Sequence, residues 1–190
     1  MKFSRMLGLL ALVAASLMAI AASAAATTYT SPAGTAYTGE IALANEGHIV
    51  LQNPIAKIEC EATVVEAKVE KHGVGVTAQG ALTELKFPSC TNSWHVTTVA
   101  PGAVEVHLVE TSNGTLTSNG MTLEATRLGI TCRYTTSNAD IGKFTSGNPG
   151  TLHLEGAFPF HGGSPLCGSG SFKLNGSYKV TVPTPFFISE

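Results

Sequence analysis

Apolar and polar residues alternate with a period of two along most of this chain, and cysteines sit on the apolar phase of that alternation. In the stretch "IAKIECEATVVEAKV", residues 55 to 69, Ile58, Cys60, Ala62 and Val64 fall on one face and Glu59, Glu61 and Thr63 on the other. That pattern is a half-buried strand with Cys60 pointing inward. The apolar phase then moves to Val65, Ala67 and Val69, and a one-residue shift within a strand is the signature of a bulge.

The same alternation recurs downstream. Val74, Val76 and Ala78 form one run, and Leu85 and Phe87 form another that ends at Pro88. Trp94, Val96 and Thr98 share a face, and after Pro101-Gly102 come Val104, Val106 and Leu108. Asn113-Gly114 and Asn119-Gly120 are strong hairpin cues, because both residue types tolerate positive φ. Met121, Leu123 and Ala125 are the next inward set, followed after a phase change at Thr126-Arg127 by Leu128, Ile130, Cys132 and Tyr134. Leu152, Leu154, Gly156 and Phe158 oppose Thr151, His153 and Glu155, and Phe172, Leu174, Tyr178, Val180 and Val182 close the series. No segment after residue 24 carries a helical period. The fold class expected is all-β, an antiparallel β-sandwich or flattened barrel. A transmembrane barrel fits less well, since the inward sets look like a packed core and the chain ends "FFISE".

The first residues have a different character. Lys2 and Arg5 precede an apolar run from Met6 to Ile20 that ends in Ala22-Ser23-Ala24, the layout of a secretory signal peptide cleaved after Ala24 or Ala26. Residues 1–24 are therefore expected to be removed, leaving 25–190 as a single domain with no membrane span. Loss of Lys2 and Arg5 takes the formal charge from −2 to −4. A mildly acidic chain has no electrostatic footprint for nucleic acid.

Export places Cys60, Cys90, Cys132 and Cys167 in an oxidising compartment, and an even count there argues for disulfides. Their separations of 30, 42 and 35 residues lack the close pairs of zinc sites. An internal repeat chooses the pairing. Residues 58–90 and 130–167 each begin Ile-x-Cys, pass a Lys-bearing strand and a glycine turn, reach Phe-Pro and end in cysteine. One staple in each half then joins Cys60 to Cys90 and Cys132 to Cys167.

Sites of chemistry are sparse. Glu105 with His107 and His153 with Glu155 form two i, i+2 pairs on outward faces, and on adjacent strands they would be candidate ligands of a divalent metal. Solvated surface positions are the reading preferred here, so no cofactor is expected. His48, His72 and His161 lie beside glycines in expected turns, and His95 faces solvent. No Gly-x-Ser-x-Gly elbow occurs, and Asp140 is the only aspartate, which excludes clustered calcium loops. Tyr29, Tyr37, Trp94, Phe160, Phe186 and Phe187 fall near strand ends, where they are either core plugs or a ligand platform, with Trp94 the candidate binding residue.

"IECEATV", "ITCRY" and "LCGSGSFKLNGSY", together with the signal peptide, resemble small exported bacterial β proteins with paired cysteines. Among these the chain is similar in layout to the protein activator of alkane oxidation (PraB-like) family. That resemblance implies an exported, non-catalytic envelope or extracellular protein associated with hydrophobic substrates or surface attachment, and it carries over no functional residues. The function expected is a secreted bacterial surface or matrix protein acting by binding or assembly, its partner a second copy, a carbohydrate or a hydrophobic surface. A small secreted hydrolase with a dispersed active site is the alternative.

Overall fold

A computed structural model describes residues 28–31, 34–61, 64–73, 76–110 and 112–189. The expected signal peptide lies outside the described residues. Among them no α-helix occurs, and no helix is long and apolar enough to cross a membrane. The strands are β1 (Thr28–Thr30), β2 (Glu40–Asn53), β3 (Ala56–Cys60), β4 (Val64–Gly73), β5 (Val76–Phe87), β6 (His95–Ala100), β7 (Ala103–Glu110), β8 (Asn113–Asn119), β9 (Thr122–Arg127) and β10 (Ile130–Thr135). They continue as β11 (Ala139–Thr145), β12 (Thr151–Phe158), β13 (Phe160–Gly163), β14 (Phe172–Val182) and β15 (Phe187–Ser189).

Eight of them form a closed antiparallel barrel in the order β5-β4-β2-β14-β12-β11-β8-β7, with β7 returning to β5. Of the two architectures expected from the alternation, closure selects the barrel. The remaining strands elaborate one end. β5 runs on to pair with β6, which leads through β9 and β10 to β13, and β3 pairs with β2. Strands β1 and β15 form a separate ribbon at the other end of the barrel.

The alternation identifies most inward positions. Val104 and Val106, Leu152 and Leu154, and Leu174, Tyr178 and Val180 are buried as expected. Three details differ, each for a local reason. The phase change at Val64 and Val65 is not a bulge: both residues lie in β4, in unbroken register with Ala44 and Leu43, and β3 has already ended at Cys60. The bulge lies instead in β5, where Glu66 pairs with Glu84 but Ala67 pairs with Leu82, leaving Thr83 extra. It joins Ala78 and Leu82 to Leu85 and Phe87 in one long strand, although the sequence suggested two runs.

Second, the phase change near Thr126-Arg127 is a hairpin between β9 and β10. Leu128 (φ 49°) and Gly129 (φ 79°) form its two-residue turn, so Leu128 is 87% exposed and not part of the core. Asn113-Gly114 makes no turn either; it begins β8, because Glu110 already pairs with Asn113. A Cβ at residue 114 would sit 2.7 Å from Val106 Cγ1 and 2.8 Å from Ile188 Cδ1, so glycine there serves packing. Third, Val182 lies beyond the last buried residue of β14 and is 51% exposed.

The outer wall of the barrel is polar. One row crosses it through His107, Thr115, Lys143, His153, Ser177 and Glu46 on neighbouring strands, where a lipid-facing wall would carry an apolar band.

The disulfides are Cys60–Cys90, with Cα atoms 4.0 Å apart, and Cys132–Cys167, at 5.7 Å. The first ties the end of β3 to the loop after β5; the second ties β10 to the short 3-10 turn Pro165–Cys167. Around them packs one end of the continuous hydrophobic core, where Ile49, Leu51, Ile58, Phe87, Leu123, Tyr134, Phe158 and Phe172 are buried. Asn53 organises its edge: Oδ1 accepts from the Ile55 and Ala56 amides, which turns β2 into β3, while Nδ2 donates to Tyr134 Oη at 2.9 Å.

Closing loops of 30 and 35 residues restricts the unfolded chain enough to be worth about 3.5 kcal/mol per bridge in the chain-entropy account. Replacing either pair, as Cys60→Ala with Cys90→Ala or Cys132→Ala with Cys167→Ala, is expected to lower stability by about 3 kcal/mol in urea melts. An unchanged midpoint would show that the bridges do not hold the fold. Leu128→Asn is expected to raise stability by about 0.5 kcal/mol, seen as a slightly higher thermal midpoint, since Asn tolerates positive φ and Leu128 makes no buried contact to lose; a lower midpoint would contradict this account of the turn.

Candidate functional site

The enclosed feature of the barrel is its lumen. Eight strands give an interior that side chains either just fill or leave open for one small ligand, so side-chain size decides the outcome. Here the wall formed by β4, β5 and β7 carries Val65, Ala67, Val69, Gly80, Val104 and Val106 along with Leu82 and Leu85, and it faces Leu, Ile and Phe from β11, β12 and β14. Gly80 keeps β5 close to β4, because a Cβ there would lie 3.2 Å from the Lys68 carbonyl. The result is a cavity of about 100 Å³ with an almost wholly apolar lining. Lys68, the one charged residue at its wall, is exposed.

Both ends of the cavity are held shut by identifiable groups. At one end Tyr29 of β1 stacks on Phe186 at 5.6 Å between ring centres, and Phe144 meets Phe186 edge-on at 5.3 Å. Phe186 is fixed by paired backbone hydrogen bonds with Gly147. At the other end Met121 enters from the connection between β8 and β9. Its amide donates to Thr136 Oγ1 at 3.0 Å, its carbonyl accepts from the Thr136 amide, and Ser118 Oγ lies 3.0 Å from the same hydroxyl. This buried network is paired, so Met121 sits in a defined position.

The aromatic residues near strand ends therefore separate into two groups. Tyr29 and Phe186 are core plugs, 4% and 1% exposed. Phe160 leans edge-on against Tyr134, and Tyr37 against Phe186. Trp94 is half-buried against the hydrophobic core, and the guanidinium of Arg127 lies 5.8 Å from its ring centre. One face of the indole packs inward and a cation covers ring surface, which leaves little of a free stacking platform.

The paired His and Glu residues do not converge. Glu105 and His107 lie on β7, and His153 and Glu155 lie on β12, with β8 and β11 between them. His107 aligns with Thr115, Thr115 with Lys143, and Lys143 with His153. Three strand spacings separate the imidazoles by about 14 Å, and a metal binds ligands at roughly 2 Å. A shared metal would need the two pairs on adjacent strands, and this order keeps them apart. Three of the four have a nearer partner: His107 Nε2 is 3.5 Å from Glu105 Oε2, Gln79 donates to Glu105 at 2.8 Å, and His153 Nδ1 is 3.0 Å from Ser177 Oγ. His72 is likewise not in a turn; it belongs to β4 and packs 6.0 Å from the Tyr29 ring.

The lumen was not legible as a cavity from the alternation. Alternation marks inward positions but not their summed volume, and the deciding short residues lie on strands that become neighbours only when β5 meets β7.

No family model, curated protein or solved structure matches this chain. The functional reading therefore rests on the barrel and its lumen.

Two buried tyrosines provide a check on this interior. Burial pushes the hydroxyls of Tyr29 and Tyr178 well above their usual range, and Tyr178 Oη has no hydrogen-bond partner among the described residues. A hydroxyl held neutral in the fold keeps its proton while the unfolded chain ionises near pH 10. Stability is then complete below about pH 10 and falls as pH rises beyond it. Tyr178→Phe is expected to leave the thermal midpoint at pH 7 unchanged or raised and to make the alkaline decline shallower. A loss of more than about 1 kcal/mol at pH 7 would show that the hydroxyl is bonded in solution.

Proposed function

We propose that this is an exported bacterial protein of the cell surface or extracellular matrix that acts by binding or assembly and not by catalysis. The observation that carries this reading is the chemical character of the enclosed space. A hydrolase needs a nucleophile, a base and an oxyanion-stabilising donor around one point, whereas the lumen offers Leu, Val, Ile and Phe side chains. The two disulfides support export, because such bonds persist in oxidising compartments. The similarity in layout to the protein activator of alkane oxidation family points the same way, toward an envelope protein associated with hydrophobic material.

The internal repeat belongs to this proposal. Each half begins on the second strand of a hairpin (β3 or β10) and continues into a pair of adjacent barrel strands (β4 with β5, β11 with β12). Each reaches Phe-Pro at the end of the second barrel strand, and its last cysteine bonds back to the hairpin. The shared order supports descent of both halves from one stapled unit.

Fractionation of producing cells is expected to recover the chain outside the cytoplasm, beginning at Ala25 or Thr27 with all thiols oxidised. Recovery in the cytoplasm with Met1 and free cysteines would overturn the export reading. Turnover of ester, peptide or glycoside substrates by the purified chain would overturn the non-catalytic one.

A further inference from the structure

We infer that the barrel lumen is a binding site for one small, uncharged, apolar molecule the size of a single aromatic ring or a short hydrocarbon. The inference deepens the reading of this protein as a binder and rests on it. Size is the first argument. Cavities of about 150 Å³ lined by Leu, Ile and Phe stay dry and take up benzene or xenon, and this one measures about 100 Å³.

Chemistry is the second. Water in a protein cavity needs two to four polar partners, and the side chains that face this lumen from the eight barrel strands offer none. A charged or strongly polar ligand would lose its hydration without replacement. An apolar one gains contacts with both walls. The third argument is construction. The void is not a packing fault between two elements, because short side chains on three consecutive strands, β4, β5 and β7, create it together. The aromatic group at one end and Met121 at the other define its length. Tyr29 reaches the plug from β1, a three-residue strand held through β15 rather than through the barrel ladder. The Tyr29 end is therefore the side on which the least backbone must move to admit a ligand.

The test uses the disulfide-bonded chain with benzene as the probe and benzoate as its charged counterpart, read by methyl NMR. Benzene is expected to shift the methyl resonances of Leu82, Val106 and Leu154 in a saturable way and to raise the thermal midpoint. Benzoate is expected to do neither. Val104→Phe and Ala67→Leu each fill the lumen from a different strand. In whichever of them keeps the parent's methyl dispersion, benzene binding is expected to weaken by at least about tenfold. Should neither fold, Tyr29→Ala supplies the second measurement: benzene exchange is expected to be faster than in the parent, with the same methyls shifted. Absence of a saturable shift in the parent overturns the inference, as does a shift confined to methyls outside the lumen. So does full binding in a folded filling variant, or unaltered exchange in Tyr29→Ala. None of these results bears on where the chain is found or whether it turns over a substrate, so the site and the broader function fail separately.

Discussion

The pairing of β5 with β7, from Ala78 opposite Val106 to Ala81 opposite Ala103, is the contact on which the rest of the structure depends. Without it the eight strands are an open sheet with two free edges, each a template for pairing with another chain. With it those edges vanish and the inward faces of all eight strands enclose a common space. The same strand then does a second task. Because Thr83 is bulged, β5 changes its inward phase partway along, so that Leu85 lines the lumen after Gly80 and Leu82, and Phe87 is buried beyond it at the disulfide end. Lys86 and Phe87 pair with β6 and so launch the outer strands.

The two ends of the molecule are consequently built on different principles. Around the disulfides, buried side chains interdigitate, and the polar groups Asn53 and Tyr134 satisfy one another. In the upper barrel the walls leave a void. A cavity of about 100 Å³ costs on the order of 2 kcal/mol against a filled equivalent, a sizeable part of the 5 to 15 kcal/mol typical of a domain. The two bridges, with loop closures worth more than that, lie at the opposite end from the Tyr29 and Phe186 plug. Stability is thus supplied where the core is dense, and the lumen end is left free of covalent constraint.

What the sequence disclosed follows from what period-two patterning can encode. It identifies which side of a strand is buried, so Cys60, Cys132, Val104, Leu152 and Phe172 were all legible as inward residues, and the repeat was enough to pair the cysteines. It does not identify where one strand stops. Val64-Val65 and Thr126-Arg127 look alike as phase changes, yet neither is a bulge: the first opens a strand separate from the one that carries Cys60, and the second leads into a two-residue turn. The bulge at Thr83 sat unnoticed between two short runs. Turn chemistry misled for a related reason. Leu128 occupies a position that Asn would suit, while Asn113-Gly114 is drawn into β8 because the barrel needs a residue without a Cβ beside Val106 and Ile188. Strand order was beyond reach as well, and with it the distance between the Glu105–His107 and His153–Glu155 pairs.

The aromatic residues show how closure converts a surface feature into an interior one. Tyr29 and Phe186 come from the two ends of the described chain, each in a short segment flanked by Thr, Ser or Pro, and locally neither resembles core. They are buried because β1 and β15 pair with each other and lie across the mouth of a barrel whose rim would otherwise expose Phe144. Burial of one ring therefore depends on the others, since removing Tyr29 uncovers the Phe186 face on which it stacks. An end closed by three mutually dependent rings opens as a unit, unlike a wall of eight strands with continuous backbone pairing. The barrel fixes the volume and the apolar character of the lumen, and the aromatic ribbon governs access to it.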